Sequence, residues 1–131
     1  RAGAKILSPF SGREDDYIRA KSKMKFKKTD YFQPTNKTAD DNGIIAGRDL
    51  VEQCASIVRQ HEIDTEVLAA SIRNPRQLRD AALRGAHIAT TTIDVLRQSL
   101  MHPKTLEGMQ KFTDDITPEY LEVVHKKSWF G

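Results

Sequence analysis

The spacing of apolar residues changes its period along the chain. Ala4 to Ser8 reads as a short strand that stops at Pro9. From Ile44 to about Gln60, the residues Ile44, Ile45, Leu50, Val51, Cys54, Ile57 and Val58 fall on one helical face. Thr65 to Ala70 fits a second strand. Asn74-Pro75 opens the next helix, because the fixed backbone angle of Pro75 suits a first helical turn. Leu78, Ala81, Ala82 and Leu83 are its expected buried side, and Gly85 ends it in a left-handed cap. His87 to Thr91 predicts a third strand, and Ile93 to Leu100 a helix broken by Pro103. Thr105 is the expected cap of a helix carrying Leu106, Met109 and Phe112. Thr117-Pro118 opens the last one, with Tyr120, Leu121 and Val124 as its stripe.

Between the first strand and the first clear helix the pattern weakens. Tyr17 to Asn42 is polar, charged and interrupted by Pro34. Ile18, Ala20, Ser22, Met24 and Phe26 alternate with basic residues, a period of two that predicts an edge strand or extended arm. The segment reads as a long surface insertion of the kind that is often functional or mobile.

Strands alternating with helices imply parallel βα units. Three such units make a poor free-standing sheet, because parallel strands require both faces covered and open edges offer unpaired backbone groups. An eight-stranded βα barrel takes about 250 residues, roughly twice the 131 present. Ala2-Gly3-Ala4 ahead of a strand resembles the turn that leaves a preceding helix. The expectation is a sequence that starts inside a larger fold; the alternative is a small independent α/β domain.

Composition narrows the picture only a little. The chain is 38% hydrophobic and 30% charged, within the range of soluble domains. No apolar run is long enough to span a membrane, and no signal peptide is expected. Cys54 is the single cysteine, which excludes an internal disulfide and suits a reducing cytoplasm; its apolar helical setting predicts a buried structural thiol. The net charge of +3 hides a local cluster. Arg19, Lys21, Lys23, Lys25, Lys27 and Lys28 follow directly on Glu14, Asp15 and Asp16. With Tyr17, Phe26, Tyr31 and Phe32 nearby, a nucleic-acid binding module is a rival reading. Charge runs in loops are more often solvated, so nucleic acid is not the expected partner. His61, His87, His102 and His125 lack a metal-like spacing and read as structural or surface residues, so no metal is expected. Trp129 and Phe130 would either cover the fold or dock on a neighbouring subunit, and a homo-oligomer is expected.

Two segments carry chemistry. Ser8-Pro9-Phe10-Ser11-Gly12-Arg13 follows the first strand, and Ala69-Ala70-Ser71-Ile72-Arg73-Asn74-Pro75 closes the second. Each sets a hydroxyl at the C-terminal end of a strand with an arginine just beyond it. Parallel α/β folds form their sites at that end. A guanidinium suits a phosphate because its planar fork donates parallel hydrogen bonds and stays charged. Solvation or pairing with a carboxylate is the plain alternative, and Arg13 stands beside Glu14, Asp15 and Asp16. Thr90, Thr91 and Thr92 lie at the third strand's end, suited either to a site or to capping the next helix.

The run Gly3 to Arg13, followed by Asp15-Asp16, resembles the sixth-strand segment of the transaldolase family. Glu66 to Pro75 resembles its seventh-strand segment. Ile88-Ala89-Thr90-Thr91 and His102-Pro103-Lys104-Thr105-Leu106-Glu107-Gly108 resemble the eighth strand and final helices. The resemblance implies an α/β fold, the C-terminal part of a (β/α)₈ barrel from about strand six to strand eight plus terminal helices, with the insertion at about 17–42. It implies transfer of a dihydroxyacetone unit between sugar phosphates through a lysine Schiff base, with no cofactor. Arg13, Ser71 and Arg73 match the family's phosphate-binding residues; Ser8 and Phe10 match residues lining the substrate site. Phenylalanine at position 10 is the transaldolase-like choice, whereas related fructose-6-phosphate aldolases more typically have tyrosine. Such an aldolase, or a non-catalytic barrel fragment, is the alternative. Ser11 stands where the family often has valine. The Schiff-base lysine would lie upstream of Arg1, supplied by a missing N-terminal segment or chain, so this chain alone is expected to be inactive. Lys5 falls on the opposite strand face from Ser8 by alternation, and Lys104 falls in a late helical connection; neither is assigned to catalysis.

Overall fold

The structure is a computed structural model and describes residues 2–35 and 38–116. Three strands, β1 (Ile6–Leu7), β2 (Glu66–Ile72) and β3 (Ile88–Thr91), form a parallel sheet in the order β1-β2-β3. Five helices accompany them: α1 (Ser11–Lys21), α2 (Gly47–Gln60), α3 (Pro75–Leu83), α4 (Ile93–Leu100) and α5 (Pro103–Asp114). One compact unit runs to Gln98 and a second begins at Ser99. Among the described residues no helix is long and apolar enough to cross a membrane.

In the first unit, β2 is the central strand. Val67, Ala69 and Ile72 from β2 pack with Val51, Ala55 and Val58 of α2, Ala81 of α3 and Val95 of α4. Cys54, expected to be buried, is half-buried against this cluster, and that burial pushes its thiol pKa up. Asn74 caps α3 by accepting from the Gln77 N–H at 2.9 Å, with Pro75 in the first turn. The buried face of α3 is narrower than the apolar pattern predicts. Gln77 and Ala81 are buried, whereas Ala82 is exposed and Leu83 is 76% exposed.

The sequence pattern misreads the stretch after β1. Where period-two alternation predicts an extended arm, Ser11–Lys21 is an α-helix, and Tyr17–Lys21 of the expected insertion belongs to it. The physical reason lies in the buried positions, Ser11, Gly12, Asp15, Ile18 and Arg19. They are spaced as one helical face, but only Ile18 among them is apolar, so hydrophobic periodicity cannot see it.

Among the described residues no helix or strand lies between Lys21 and Gly47, yet the segment is packed. Arg19 is 2% exposed. Its guanidinium lies 4.2 Å from the Phe26 ring centre and 5.5 Å from that of Phe32. It donates to the backbone carbonyls of Asp15 (3.2 Å), Lys27 (3.4 Å) and Asp30 (3.2 Å). Phe32 then joins Ile18, Ile44 and Ala46 in a second apolar cluster. Lys23, Lys25, Lys27 and Lys28 remain exposed.

In the second unit α5 starts at Pro103. Its cap is His102, whose ring accepts from the Lys104 N–H, not Thr105 as the sequence suggests. A proline at the first helical position moves the start three residues earlier. Leu106, Met109 and Phe112 are 56%, 61% and 76% exposed. The helix expected from Thr117, and His125, Trp129 and Phe130, lie outside the described residues.

Candidate functional site

Parallel strands bring their C-terminal ends together, and here they frame an open cleft of about 560 Å³. Ser8 and Phe10 reach it from the end of β1, Ser71 and Arg73 from the end of β2, and Thr90, Thr91 and Thr92 from the end of β3. Four of the five residues singled out from the sequence therefore share one cleft. The fifth, Arg13, is not among the lining residues. Its guanidinium lies 4.9 Å from the centre of the Phe10 ring, which does line the cleft.

The backbone at Ser71 is unusual. Its φ is +63°, a left-handed conformation that non-glycine residues seldom adopt and that concentrates at functional sites. The β2–β3 register shifts between Ala69 and Ile72, so Ser71 sits within an irregularity of the ladder. Glycine at 12 permits the close approach behind it. A β-carbon on Gly12 would lie 2.0 Å from the Ser71 carbonyl oxygen, and one on Gly47 would lie 1.9 Å from that of Ser11. The first turn of α1 thus lies backbone on backbone against the Ser71 turn, and the first turn of α2 against that of α1. The Ser11 hydroxyl adds a hydrogen bond to the Ala70 carbonyl at 3.2 Å.

Arg73 is half-buried and ion-paired with Asp16, whose other oxygen lies 3.5 Å from Arg19. The pairing orients the guanidinium but leaves other N–H groups of its five-donor fork. Beneath it lies a polar network. Asp15, 6% exposed, accepts from the Gly47 N–H at 2.8 Å and from the Gln77 amide at 3.0 Å. Burial pushes the Asp15 carboxyl up, while those two donors and the charges of Arg19 and Arg48 pull it down. The Gln77 carbonyl oxygen in turn accepts from the Arg73 N–H at 2.9 Å.

Thr91 donates to the Ile72 carbonyl at 3.4 Å, and the Thr92 hydroxyl accepts from the Val95 N–H at 3.4 Å. All three threonines line the cleft, and Thr92 also caps α4. Lys5 pairs with Asp64, ahead of β1 and β2 and so at the opposite end of the strands; Lys104 pairs with Glu107 at 2.6 Å. His87 accepts from the Val67 N–H at 3.0 Å. The cleft offers hydroxyls and a guanidinium: donors for an anion, with no lysine among its lining residues.

Sequence reasoning missed Asp16 as the partner of Arg73, Gly12 and Gly47 as close-contact positions, and the Asp15–Gln77 link. Asp15 and Asp16 were visible as part of a motif, but nothing in the pattern separates their roles. Gln77 carries no sequence signal beyond its place three residues after a helix cap.

Comparison with known proteins places these residues in context. A family described as Transaldolase/Fructose-6-phosphate aldolase matches residues 1–128. Proteins named probable transaldolase from Alkaliphilus metalliredigens and Roseiflexus sp. are each 42% identical over 115 residues, or 88% of this chain. One from Oceanobacillus iheyensis is 41% identical over the same share. The match covers 42%, 41% and 42% of these relatives, so the chain spans about two fifths of their length.

Proposed function

The chain belongs to the transaldolase/fructose-6-phosphate aldolase family, and from that premise we propose that its strand-end cleft is the phosphate-binding side of a sugar-phosphate site. The whole enzyme is a transaldolase-type transferase that passes a dihydroxyacetone unit from a ketose phosphate to an aldose phosphate. These residues form about strands six to eight and the following helices of its (β/α)₈ barrel. The lysine that forms the Schiff base belongs to the part of the enzyme outside this segment.

The observation that carries the reading is the placement of Ser71 and Arg73 in one cleft at the C-terminal end of β2. Ser71, held at a positive φ, turns out of the ladder, and Arg73 follows it, aligned by Asp16. A phosphate entering here meets a hydroxyl and a guanidinium fixed before it arrives, which lowers the ordering cost of binding. Arg13 supplies the second positive charge from the Phe10 ring at the cleft's edge. Ser8 and Phe10 face the carbon chain of the sugar. Phenylalanine at 10 favours the transferase over the aldolase.

Kinetics of the full-length enzyme carrying Arg73→Ala test this. Losing charge-assisted hydrogen bonds to phosphate costs on the order of 1.5–3 kcal/mol. The expected outcome is a KM for phosphorylated substrates raised roughly 10- to 100-fold, with a smaller fall in kcat. An unchanged KM, or an equal loss with an unphosphorylated ketose, would refute the phosphate role.

A further inference from the structure

The Asp15–Gln77 network lies behind the cleft and lines none of it, so binding alone does not explain it. Its chemistry is directional. A carboxylate only accepts hydrogen bonds. Both Asp15 oxygens are engaged, Oδ1 by the Gly47 N–H at 2.8 Å and Oδ2 by Gln77 Nε2 at 3.0 Å. Gln77 must therefore turn its NH₂ toward Asp15, which leaves its carbonyl oxygen facing the other way. That oxygen accepts the Arg73 N–H at 2.9 Å. The Gln77 backbone N–H is meanwhile held by Asn74 at 2.9 Å, closing the turn from both sides. Ser71 itself holds the positive φ, a conformation that costs a non-glycine residue energy, and Arg73 follows two residues on. Side chains hold the turn in place: Ser11 and Thr91 donate to the Ala70 and Ile72 carbonyls, and Gln77 accepts the Arg73 N–H.

We infer that Asp15 and Gln77 are positioning residues for the phosphate subsite: Asp15 sets the orientation of the Gln77 amide, and Gln77 sets the Arg73 backbone. The inference rests on the phosphate reading of Ser71 and Arg73.

Because the relay depends on which atoms donate, a swap can test it without changing volume. In Asp15→Asn, the new side chain gives its oxygen to the Gly47 N–H and turns an NH₂ toward Gln77. Gln77 must then flip, and its NH₂ meets the Arg73 N–H, donor against donor. In the full-length enzyme, the inhibition constant of inorganic phosphate and the KM for a ketose phosphate should both rise about five- to tenfold. Adding Gln77→Glu to Asp15→Asn restores the chain of acceptors: the introduced amide at position 15 donates to one oxygen of the introduced carboxylate, and the other oxygen accepts the Arg73 N–H. The double variant should recover phosphate affinity to within about twofold of the parent. Gln77→Met, close in shape but without polar atoms at its tip, should reproduce the loss, and it decides the matter if Asp15→Asn does not fold. The inference is overturned if Arg73→Ala weakens phosphate while Asp15→Asn or Gln77→Met leaves it at the parent value. It is also overturned if the double variant is no better than Asp15→Asn alone. If Arg73→Ala itself leaves phosphate inhibition unchanged, the phosphate reading fails, and the inference fails with it for that separate reason.

Discussion

Two neighbouring carboxylates on α1 meet opposite fates. Asp15 is buried with both oxygens hydrogen-bonded. Glu14 has a buried Oε1 that takes no hydrogen bond among the described residues. Burial first, then the charges of Asp40 and Asp15, push the Glu14 carboxyl above its ordinary value of 4.5. The sign of the consequence follows from proton linkage. Between the unfolded pKa and the raised folded one, the native state binds more protons than the unfolded chain, so stability falls as pH rises through that window. Above it the ionised carboxylate is a standing cost. Glu14→Gln in the full-length protein should therefore raise the thermal midpoint near neutral pH. The gain should shrink as the pH is lowered toward the ordinary carboxylate range. Melting curves across that span check this; a loss at neutral pH, or a gain independent of pH, would contradict it.

At the scale of elements, Arg19 explains how a segment without regular structure stays ordered. Beside the Ile18–Phe32 apolar cluster it sets a guanidinium near two aromatic rings, bonded to three carbonyls. Arg19→Met keeps much of the bulk and removes the donors. Local opening should become at least about tenfold more frequent, since each charge-assisted bond is worth on the order of 1.5–3 kcal/mol. Trypsin should then cut after Lys27 or Lys28 well before it enters α2, and faster than in the parent; an unchanged cleavage pattern would count against the anchor. The same helix marks the limit of sequence reading. Strands β2 and β3 and helices α2 to α4 were legible, because apolar spacing and Asn74-Pro75 punctuate them. Helix α1 was not, because its inward face is Ser11, Gly12, Asp15 and Arg19 with Ile18. Of the candidate cleft, Ser8, Phe10, Ser71 and Arg73 were legible, since their strand-end positions follow from pattern and motif, whereas Arg13, expected with them, is not among the lining residues. The supports behind them were not. Gly12 and Gly47 act through what a β-carbon would strike, and Asp15 and Gln77 through the direction of hydrogen bonds; neither leaves a periodic trace.

For the whole molecule, the proposed barrel gives a purpose to surface that is otherwise out of place. Ile6 and Leu7 on edge strand β1 are 51% and 41% exposed. Leu83 of α3 and Leu100 of α4 are exposed by 76% and 79%. Further strands and helices of the enzyme would cover such residues, at about 25 cal/mol per Å² of apolar area removed from water. On the proposed reading the chemistry divides in the same way: this segment would orient the phosphate, and the rest would supply the amine. Borohydride reduction of the full-length protein in the presence of a ketose phosphate, followed by peptide mapping, tests that division most directly, because it fixes the substrate to whichever lysine forms the Schiff base. The expected result is a single labelled lysine outside residues 1–131, with no label when those residues are treated alone. Substrate trapped on Lys5, Lys104 or any other lysine of this segment would contradict it.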